Sequence, residues 1–393
     1  MFNLLGSARK GARAALAIVA AAALSACDVD LTQVGGGGGG GAKSDGGAVN
    51  VALLVPYGSA SAGDDSLARA MENAARLAMA DLGSGKINLT VYNTAGQAGT
   101  AASAAKQAVA AGADVILGPL RSDAANAAAV AVSGSNVNII SFSNNTSIAG
   151  GNLLVLGNTY DNIASRLMSY ASAQGRSRVV VVYPRTAVGQ IARSAVVKAS
   201  AGTNVQIVGD GSFEFSEQGI ISAVPGIAQT IKDSGATAVM LTSDSTGALP
   251  LLAQMLPENG VSPSVTKYIG LTRWDVPPQT LSLPGIQGGW FALPDPGPVA
   301  QFNARYRSAY GDSAHPLAGL AYDGIAAIGA LSAKKLAMTK GNLTQSSGFK
   351  GVNGVFRFRP DGTNQRAMAV AQVTNNQVQI IDPAPKSFGF GGF

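Results

Sequence analysis

The sequence has very few of the side chains that perform most enzymatic chemistry. Its 393 residues contain one cysteine and one histidine, which excludes disulfides within the chain and zinc sites made of Cys and His. The same scarcity argues against Cys–His catalysis, and a Ser–His–Asp triad would have to use His315. Two Ser-x-x-Lys matches, at 264–267 and 332–335, lack the accompanying elements of penicillin-binding enzymes. We therefore expect no enzymatic activity, no cofactor and no metal.

Charge is also scarce. Charged residues make up 13% of the chain, about half the usual ~25%, and the net charge of +6 includes no dense Lys/Arg cluster. This composition argues against disorder, a coiled coil and nucleic-acid binding. Aromatic residues make up 6% and apolar residues 47%, so the cores must be built from Ala, Val, Leu and Ile.

The first thirty residues have the features of an export signal. Basic residues at positions 9, 10 and 13 precede an uncharged apolar run from Ala14 to Leu24, which is too short to span ~30 Å of hydrocarbon stably. The run ends in Leu-Ser-Ala-Cys27, which resembles a bacterial lipobox. The resemblance implies that signal peptidase II removes residues 1–26 and that Cys27 is lipidated, which would anchor the chain to the inner or the outer membrane on its periplasmic side. An ordinary signal peptide with an incidental cysteine is the alternative.

The rest of the chain divides into a glycine-rich segment and a much longer part with regular hydrophobic patterns. Residues 27–48 contain seven consecutive glycines, 35–41, and are expected to form a flexible tether. From residue 49 onwards, apolar strands alternate with helical patterns, which predicts an α/β fold with parallel sheets and helices on both faces. The alternation restarts near residue 158, so we expect two lobes. Residues 352–381 alternate with period two and indicate a small antiparallel meander, followed by a disordered tail over 382–393.

Several segments together resemble the type I periplasmic binding proteins, in the branch of the Leu/Ile/Val-binding proteins. These segments are Val49–Pro56, Ala111–Pro119, His315–Gly324, and Gly348–Gly354 together with Asp361-Gly362. Within the branch, Leu156–Tyr160 and Tyr183-Pro184 with Gly189 are most similar to penicillin-binding protein activators, which are lipoproteins that regulate peptidoglycan synthases.

The resemblance implies two Rossmann-like lobes joined by three crossings. We place the crossings near 156–158, near 293–296 and within 333–347. Lobe 1 would then comprise 49–157 and 297–335, and lobe 2 would comprise 158–294 and 346–381. The ligand of such a fold lies in the cleft between the lobes, at the carboxyl ends of the strands.

Polar residues that follow predicted strands are the candidate ligand contacts. Ser122 precedes a helix, where backbone N–H groups attract a carboxylate. Ser143, Asn144 and Asn145 repeat this arrangement after the next strand, and the resemblance implies that such loops hold the carboxylate of an amino acid.

From lobe 2, Tyr160 could contact the ligand and Asp244 could receive an ammonium group. Each candidate also has a structural interpretation: Ser122 and Asp244 as helix caps, the two asparagines as turn residues, and Tyr160 as a core residue.

Two functions fit these observations. The first is a non-enzymatic, lipid-anchored penicillin-binding protein activator whose partner is a peptidoglycan synthase. The second is the receptor of an ABC importer for amino acids or similar polar solutes, whose partner is a permease. In either case the cleft would hold a small polar ligand, such as an amino acid or a muropeptide. The asparagines at 144 and 145, where amino-acid binders usually have Ser or Thr, favour the regulator.

Overall fold

The computed structural model of the chain describes residues 47–81, 83 and 87–388. The predicted signal segment, Cys27, the tether as far as residue 46 and residues 389–393 of the expected tail lie outside the described residues. None of the described helices is both long and apolar enough to cross a membrane.

The first sheet has five strands, all parallel. Its strands are β1 (Val49–Val55), β2 (Ile87–Asn93), β3 (Val115–Leu117), β4 (Asn138–Ser141) and β5 (Leu153–Val155), in the spatial order β2-β1-β3-β4-β5. Helices α1 (Asp64–Asp81), α2 (Ala98–Ala110) and α3 (Ser122–Ala131) connect them. The buried face of α2 is made only of alanines, and small side chains let α2 approach α3 and the sheet closely.

The second lobe repeats the pattern around a larger sheet. Its parallel strands are β6 (Arg178–Pro184), β7 (Gln206–Phe213), β8 (Ala238–Leu241), β9 (Lys267–Gly270) and β10 (Trp290–Leu293). The helices are α4 (Tyr160–Ala173), α5 (Ala187–Ser200), α6 (Glu217–Asp233) and α7 (Leu249–Glu258).

The chain then returns to the first lobe. Helices α8 (Pro296–Tyr310) and α9 (Ala318–Ala333) bury aromatic and aliphatic side chains in the same core as β1 and β3, and the short α10 (Lys340–Leu343) follows. A three-stranded antiparallel sheet comes next, formed by β11 (Phe349–Gly351), β12 (Gly354–Phe358) and β13 (Asn364–Arg366).

The expected meander and the expected lobe boundary are both corrected by this region. Phe349, Phe356 and Phe358 are buried in the core of the first lobe, so the small sheet belongs there and not to lobe 2 as the range 346–381 implied. Only β14 (Ala369–Thr374) and β15 (Gln377–Asp382) join the second sheet, where β14 pairs antiparallel with β10. The order of that sheet is β15-β14-β10-β9-β8-β6-β7.

The third crossing therefore lies at 366–368 and not within 333–347. Arg366 fixes it to the first crossing, because its guanidinium donates to the carbonyl of Leu156 at 2.9 and 3.0 Å and pairs with Asp323 on α9 at 2.8 Å. Both side chains are almost fully buried, at 1% and 0% exposed. Asn364 adds bonds to the carbonyls of Val155 and Gly157. The hinge is thus a polar, hydrogen-bonded structure.

Residues 383–388 pack against both lobes, whereas this part of the chain was expected to belong to a disordered tail. Ala384 is buried in the second core, Lys386 pairs with Asp295 at the second crossing, and the Arg357 guanidinium lies 4.6 Å from the centre of the Phe388 ring. This segment passes from the second lobe to the small sheet of the first.

Candidate functional site

Two loops of the first lobe are held together by hydrogen bonds at the carboxyl ends of β3 and β4. Phe142 N–H donates to the carbonyl of Pro119 at 3.0 Å, and the Ser141 hydroxyl donates to the same carbonyl at 2.8 Å. Gly118 makes this approach possible: its φ is +95°, and a Cβ there would lie 2.2 Å from the carbonyl oxygen of Leu54. The loops that follow the two strands are therefore fixed relative to one another.

The first crossing lies directly against the second of these loops. Gly157 N–H donates to the carbonyl of Ser143 at 3.0 Å, and a Cβ on Gly157 would lie 2.5 Å from that oxygen. The next residue, Asn158, is half-buried, and its Oδ1 has no hydrogen-bond partner among the described residues. Asn158 lies at the hinge and lines the cavity described next.

A cavity of about 580 Å³ occupies this edge of the first lobe. Ser122, Ser143, Asn144 and Asn158 are the uncharged polar side chains that line it, beside Arg121 and Asp123. Leu120, Phe142, Leu317 and Leu320 supply its apolar walls. The volume falls within the ~300–1,000 Å³ typical of small-molecule sites. Arg121 pairs with Asp64 at 2.6 Å, so the cation beside the cavity is already neutralised, whereas Asp123 has no ion-pair partner among the described residues.

The second lobe presents its own strand ends to this cavity. Strand β10 runs directly into the crossing at 294–296, and β6, β8 and β9 are parallel to it. Their carboxyl ends therefore face the first lobe. Thr242 and Ser243 follow β8, each is 6% exposed, and neither hydroxyl has a hydrogen-bond partner among the described residues. Buried hydroxyls without partners are uncommon and costly.

Tyr160 and Asp244 come together on this side of the cleft. Burial raises the pKa of Tyr160, and the nearby Asp244 carboxylate raises that pKa further. Asp244 is exposed, and its Oδ1 accepts hydrogen bonds from the N–H and the hydroxyl of Thr246 at 3.2 and 3.0 Å. The capping role expected for Asp244 is wrong, because α7 begins at Leu249 and Ala248 occupies its N-cap position. Asp244 Oδ1 instead accepts within its own turn, and Oδ2 makes no hydrogen bond among the described residues.

The predicted site residues separate into three groups. Ser122, Ser143 and Asn144 line the cavity on the first lobe, and Tyr160 and Asp244 lie together on the second. Asn145 is not part of the lining, because its Oδ1 accepts from the N–H and hydroxyl of Ser147 at 3.0 and 2.8 Å, which is the turn role considered for it.

The capping role expected for Ser122 is wrong. Helix α3 begins at Ser122 itself, and Arg121 occupies the N-cap position without a side-chain capping bond. The Ser122 hydroxyl makes no hydrogen bond to any described residue, so it is available at the cavity surface.

Three polar residues of this region were missed from the sequence. Asn158, Thr242 and Ser243 were identified only by their burial without partners. Thr242 and Ser243 directly follow a fully apolar strand, which is the same signal that identified Asp244. His315, in contrast, accepts from the N–H of Leu317 through Nδ1 at 3.2 Å, so it is a hydrogen-bonded residue of its loop.

Comparison with known proteins agrees with this architecture. A family model described as "Periplasmic binding protein" matches residues 48–377. A search of curated protein sequences found no match.

Three solved structures illustrate the similarity. A branched-chain amino acid ABC transporter periplasmic ligand-binding protein from Burkholderia xenovorans has a TM-score of 0.67 at 19% identity, covering 87% of this chain and 94% of its own. An ABC transporter substrate-binding protein from Desulfitobacterium hafniense, in complex with Leu, has a TM-score of 0.64 at 17% identity and coverages of 85% and 100%. An ABC transporter solute-binding protein from Rhodopseudomonas palustris, in complex with 3,4-dihydroxybenzoic acid, has a TM-score of 0.59 at 19% identity and coverages of 87% and 97%.

At such identities the structures establish the fold alone, and the resemblance read from the sequence is confirmed at that level. The family model spans most of the chain. Its members are extracytoplasmic binding proteins, and the two parallel-sheet lobes with three crossings are the type I arrangement of the Leu/Ile/Val-binding branch. The chain belongs to the periplasmic binding protein family.

Proposed function

We propose that this protein is a non-enzymatic solute receptor that closes its two lobes around a small polar ligand bearing a carboxylate and an ammonium group. The observation that supports this most directly is the set of buried polar atoms without partners on the facing edges: Asn158 Oδ1, Thr242 Oγ1 and Ser243 Oγ. A ligand that supplied their missing hydrogen bonds would remove the cost of burying them.

The first lobe would receive the carboxylate. Ser122 stands at the first position of α3, where backbone N–H groups and a free hydroxyl point towards an incoming anion. Ser143 and Asn144 lie on the same cavity surface. Among the described residues no unpaired cation lines this surface, so the anion would be held by N–H and O–H dipoles, as is common for carboxylates at helix N-termini.

The second lobe would receive the ammonium group. Asp244 is the carboxylate after β8, its Oδ2 is not used by another described residue, and it lies near enough to Tyr160 to raise the pKa of that phenol. Hinge closure would bring this group to the ligand held by the first lobe.

The decisive experiment measures binding of two probes by isothermal titration calorimetry. Leucine carries both charged groups, whereas benzoate carries the carboxylate alone. For a protein that binds both, Asp244→Asn should weaken leucine binding by about tenfold or more, or roughly 1.4 kcal/mol, and leave benzoate binding unchanged. Asp233→Asn, on the exposed end of α6, is the matched control in the same lobe. Equal loss for both probes would contradict the ammonium role of Asp244, and no binding of these or other amino acids would contradict the receptor function.

A second candidate function is regulation of a peptidoglycan synthase, with a muropeptide or no small ligand in the cleft. The observation that favours it is a group of exposed apolar side chains on the second lobe, which would serve as a protein-docking surface. Val188, Ile191 and Phe215 are 58%, 47% and 59% exposed, and the ion pair between Arg185 and Glu214 at 2.8 Å joins the two loops beside them. An ABC permease is the alternative partner for the same surface.

Pull-down with purified partners separates the two candidates. A synthase captured by the wild-type protein, but not by the Val188→Ser/Phe215→Ser double variant, would support the regulator. Capture of the permease by the same surface, together with leucine binding, would support the receptor. Val265→Ser is the control, because Val265 is 70% exposed at the other end of the second sheet, before β9.

We further propose that Cys27, outside the described residues, is lipidated and anchors the chain to a membrane. Intact-mass measurement of the membrane fraction tests this. The mature chain should begin at Cys27 and carry acyl chains, and Cys27→Ser should release the protein in soluble form. A mature chain cleaved elsewhere and without acyl groups would contradict the anchor.

A further inference from the structure

A second cavity, of about 260 Å³, lies beside the hinge and shares no lining residue with the interlobe cleft. We name it the hinge cavity. Its walls are α4, the last turns of α5, the small sheet of the first lobe and Pro385. Because α4 and α5 belong to the second lobe and Arg359 and Gln365 to the first, the hinge cavity has walls from both lobes.

The lining of the hinge cavity has more cations than carboxylates. It contains the four cations Arg166, Lys198, Arg359 and Arg366 and the single carboxylate Asp161. Three of the cations have direct carboxylate partners: Arg166 pairs with Asp382 at 2.7 Å, Lys198 with Asp161 at 2.9 Å and Arg366 with Asp323 at 2.8 Å.

Arg359 differs from the other three. Its guanidinium donates no hydrogen bond and forms no ion pair within 4 Å among the described residues, although Asp361 lies within electrostatic reach of Arg359 and of Lys198. Arg359 is exposed, and a guanidinium at a cavity wall that has no protein partner is able to bind an oxyanion through two parallel hydrogen bonds.

Further donors without acceptors surround the same space. Ser165 and Ser169 lie one helical turn apart on α4, and neither hydroxyl has a partner among the described residues. The Gln365 side-chain oxygen accepts from Arg357 at 2.7 and 2.9 Å, which leaves its NH₂ group as the unbonded end. The Arg359 guanidinium and the Gln365 NH₂ group can only donate, and the two serine hydroxyls can donate as well as accept, so this lining is able to bind an acceptor-rich ligand.

We propose that the hinge cavity binds a small oxyanion, either a phosphate or a short dicarboxylate, through Arg359, Lys198 and the α4 hydroxyls. The volume is below the ~300–1,000 Å³ of sites for drug-sized ligands, which restricts the ligand to this size. Since the anion would contact both lobes, it would favour the lobe angle at which these walls are correctly spaced, and it would couple to occupation of the cleft.

Thermal-shift and calorimetric titrations of the mature chain test the proposal, with inorganic phosphate and succinate as probes and sodium chloride at equal ionic strength as the reference. Phosphate or succinate should raise Tm above the chloride reference. Arg359→Gln and Lys198→Gln should each weaken that binding by about tenfold, the loss typical of one charge-assisted contact. A stronger response to phosphate than to succinate identifies phosphate as the ligand class, and the reverse identifies a dicarboxylate.

Two control variants show whether the anion binds in the hinge cavity or at another place on the protein. Arg185→Gln removes an exposed arginine of the second lobe that pairs with Glu214 and should leave the binding unchanged. Ser122→Ala alters the interlobe cleft and should also leave it unchanged. The proposal is overturned if neither probe raises Tm, if Arg359→Gln and Lys198→Gln bind like wild type, or if Ser122→Ala abolishes the response, since the anion would then occupy the cleft.

Discussion

The two edges that face each other across the cleft differ in how their polar groups are satisfied. On the first lobe, Ser141 and the backbone of the neighbouring loop bond one another, and Ser143 Oγ accepts from Asn145 N–H at 3.1 Å. On the second lobe, Thr242 and Ser243 are buried without partners among the described residues. The difference indicates that the loops of the first edge are held by hydrogen bonds within the protein, with Asn158 Oδ1 and the Ser122 hydroxyl left over, whereas the two hydroxyls that follow β8 have no such partners.

The difference also suggests an order of events. A ligand that binds first to the first lobe requires little rearrangement of the protein, because that surface is already formed. The hydrogen bonds that it then offers to the second lobe become available only on closure. A ligand that binds the closed state more tightly than the open state shifts the equilibrium between these two states towards closure.

The largest expected change in stability comes from breaking the buried ion pair between Arg366 and Asp323, which helps to hold the two edges opposite each other at the hinge. Arg366→Met leaves Asp323 charged at 0% exposed, and we expect the free energy of unfolding to fall by about 3–5 kcal/mol. Urea denaturation followed by tryptophan fluorescence measures it. Both tryptophans, Trp274 and Trp290, lie in the second lobe, so they report whether a hinge defect in the first lobe spreads.

The double variant Arg366→Met/Asp323→Asn is the companion to this experiment. Asparagine keeps the Oδ1 that accepts from Val352 N–H at 2.7 Å, so the variant removes both buried charges without losing that bond and should recover part of the lost stability. A double variant less stable than Arg366→Met alone would show that the pair is not the source of the effect.

The next largest effect is expected from a substitution that disturbs only the edge of the first lobe. In Gly157→Ala the added Cβ meets the carbonyls of Phe142 and Ser143 at 2.7 and 2.5 Å, and we expect a loss of about 1–3 kcal/mol from overpacking. Ligand affinity should fall as well, because the crossing would displace the loop that bears Ser143. Gly134→Ala, where nothing lies within 4 Å of the new Cβ, should leave both quantities nearly unchanged.

Removal of single hydroxyl groups tests the comparison between the two edges directly. The resulting change in the free energy of unfolding should have opposite signs on the two lobes. Thr242→Val deletes a buried hydroxyl without a partner, so the ligand-free protein should gain about 1 kcal/mol. Ser141→Ala leaves the N–H of Ser143 unbonded and should cost about 1–2 kcal/mol. Chemical denaturation of the ligand-free proteins measures both, and destabilisation of equal size in the two variants would refute the distinction between the edges.

The smallest effect is a pH dependence that arises from His315. Partial burial lowers its pKa below the usual 6.5, and its Nδ1 accepts from Leu317 N–H, a bond that the protonated ring cannot make. The unfolded chain therefore binds more protons near pH 6, so stability is complete above about pH 6.5 and decreases as the pH falls through this range. His315→Gln should flatten Tm between about pH 5.5 and 7.5, and an unchanged slope would exclude the histidine as its source.

Much of the fold follows from the sequence, because buried parallel strands appear as apolar runs and the helices between them have a period near 3.6. Runs such as 178–183 identify the strands of both sheets. The small sheet was assigned to the wrong lobe since β13 is Asn-Gln-Arg. No apolar pattern marks a strand that is buried by hydrogen bonds at a hinge, and without it the alternating segments on either side resembled one meander.

The candidate site was predicted only in part. The rule that polar residues after parallel strands meet at one edge found Ser122, Ser143 and Asn144 on one lobe and Asp244 on the other. It could not show that Asn145 would bond to its own turn, or that the two hydroxyls after β8 would be buried without partners. Those outcomes depend on how neighbouring loops pack, which is not encoded in local spacing.

The interleaving of the chain between the lobes has a consequence for its synthesis. The first lobe needs α9 and the small sheet, at 318–366, and the second sheet needs β14 and β15, at 369–382, to cover the edge of β10. Domains usually complete themselves in order as they leave the ribosome, but neither lobe can be finished here until the last part of the chain has been made. The native packing of both lobes is therefore completed only when the chain has been made to about residue 382, so the last tenth of the sequence decides when either half of the cleft exists.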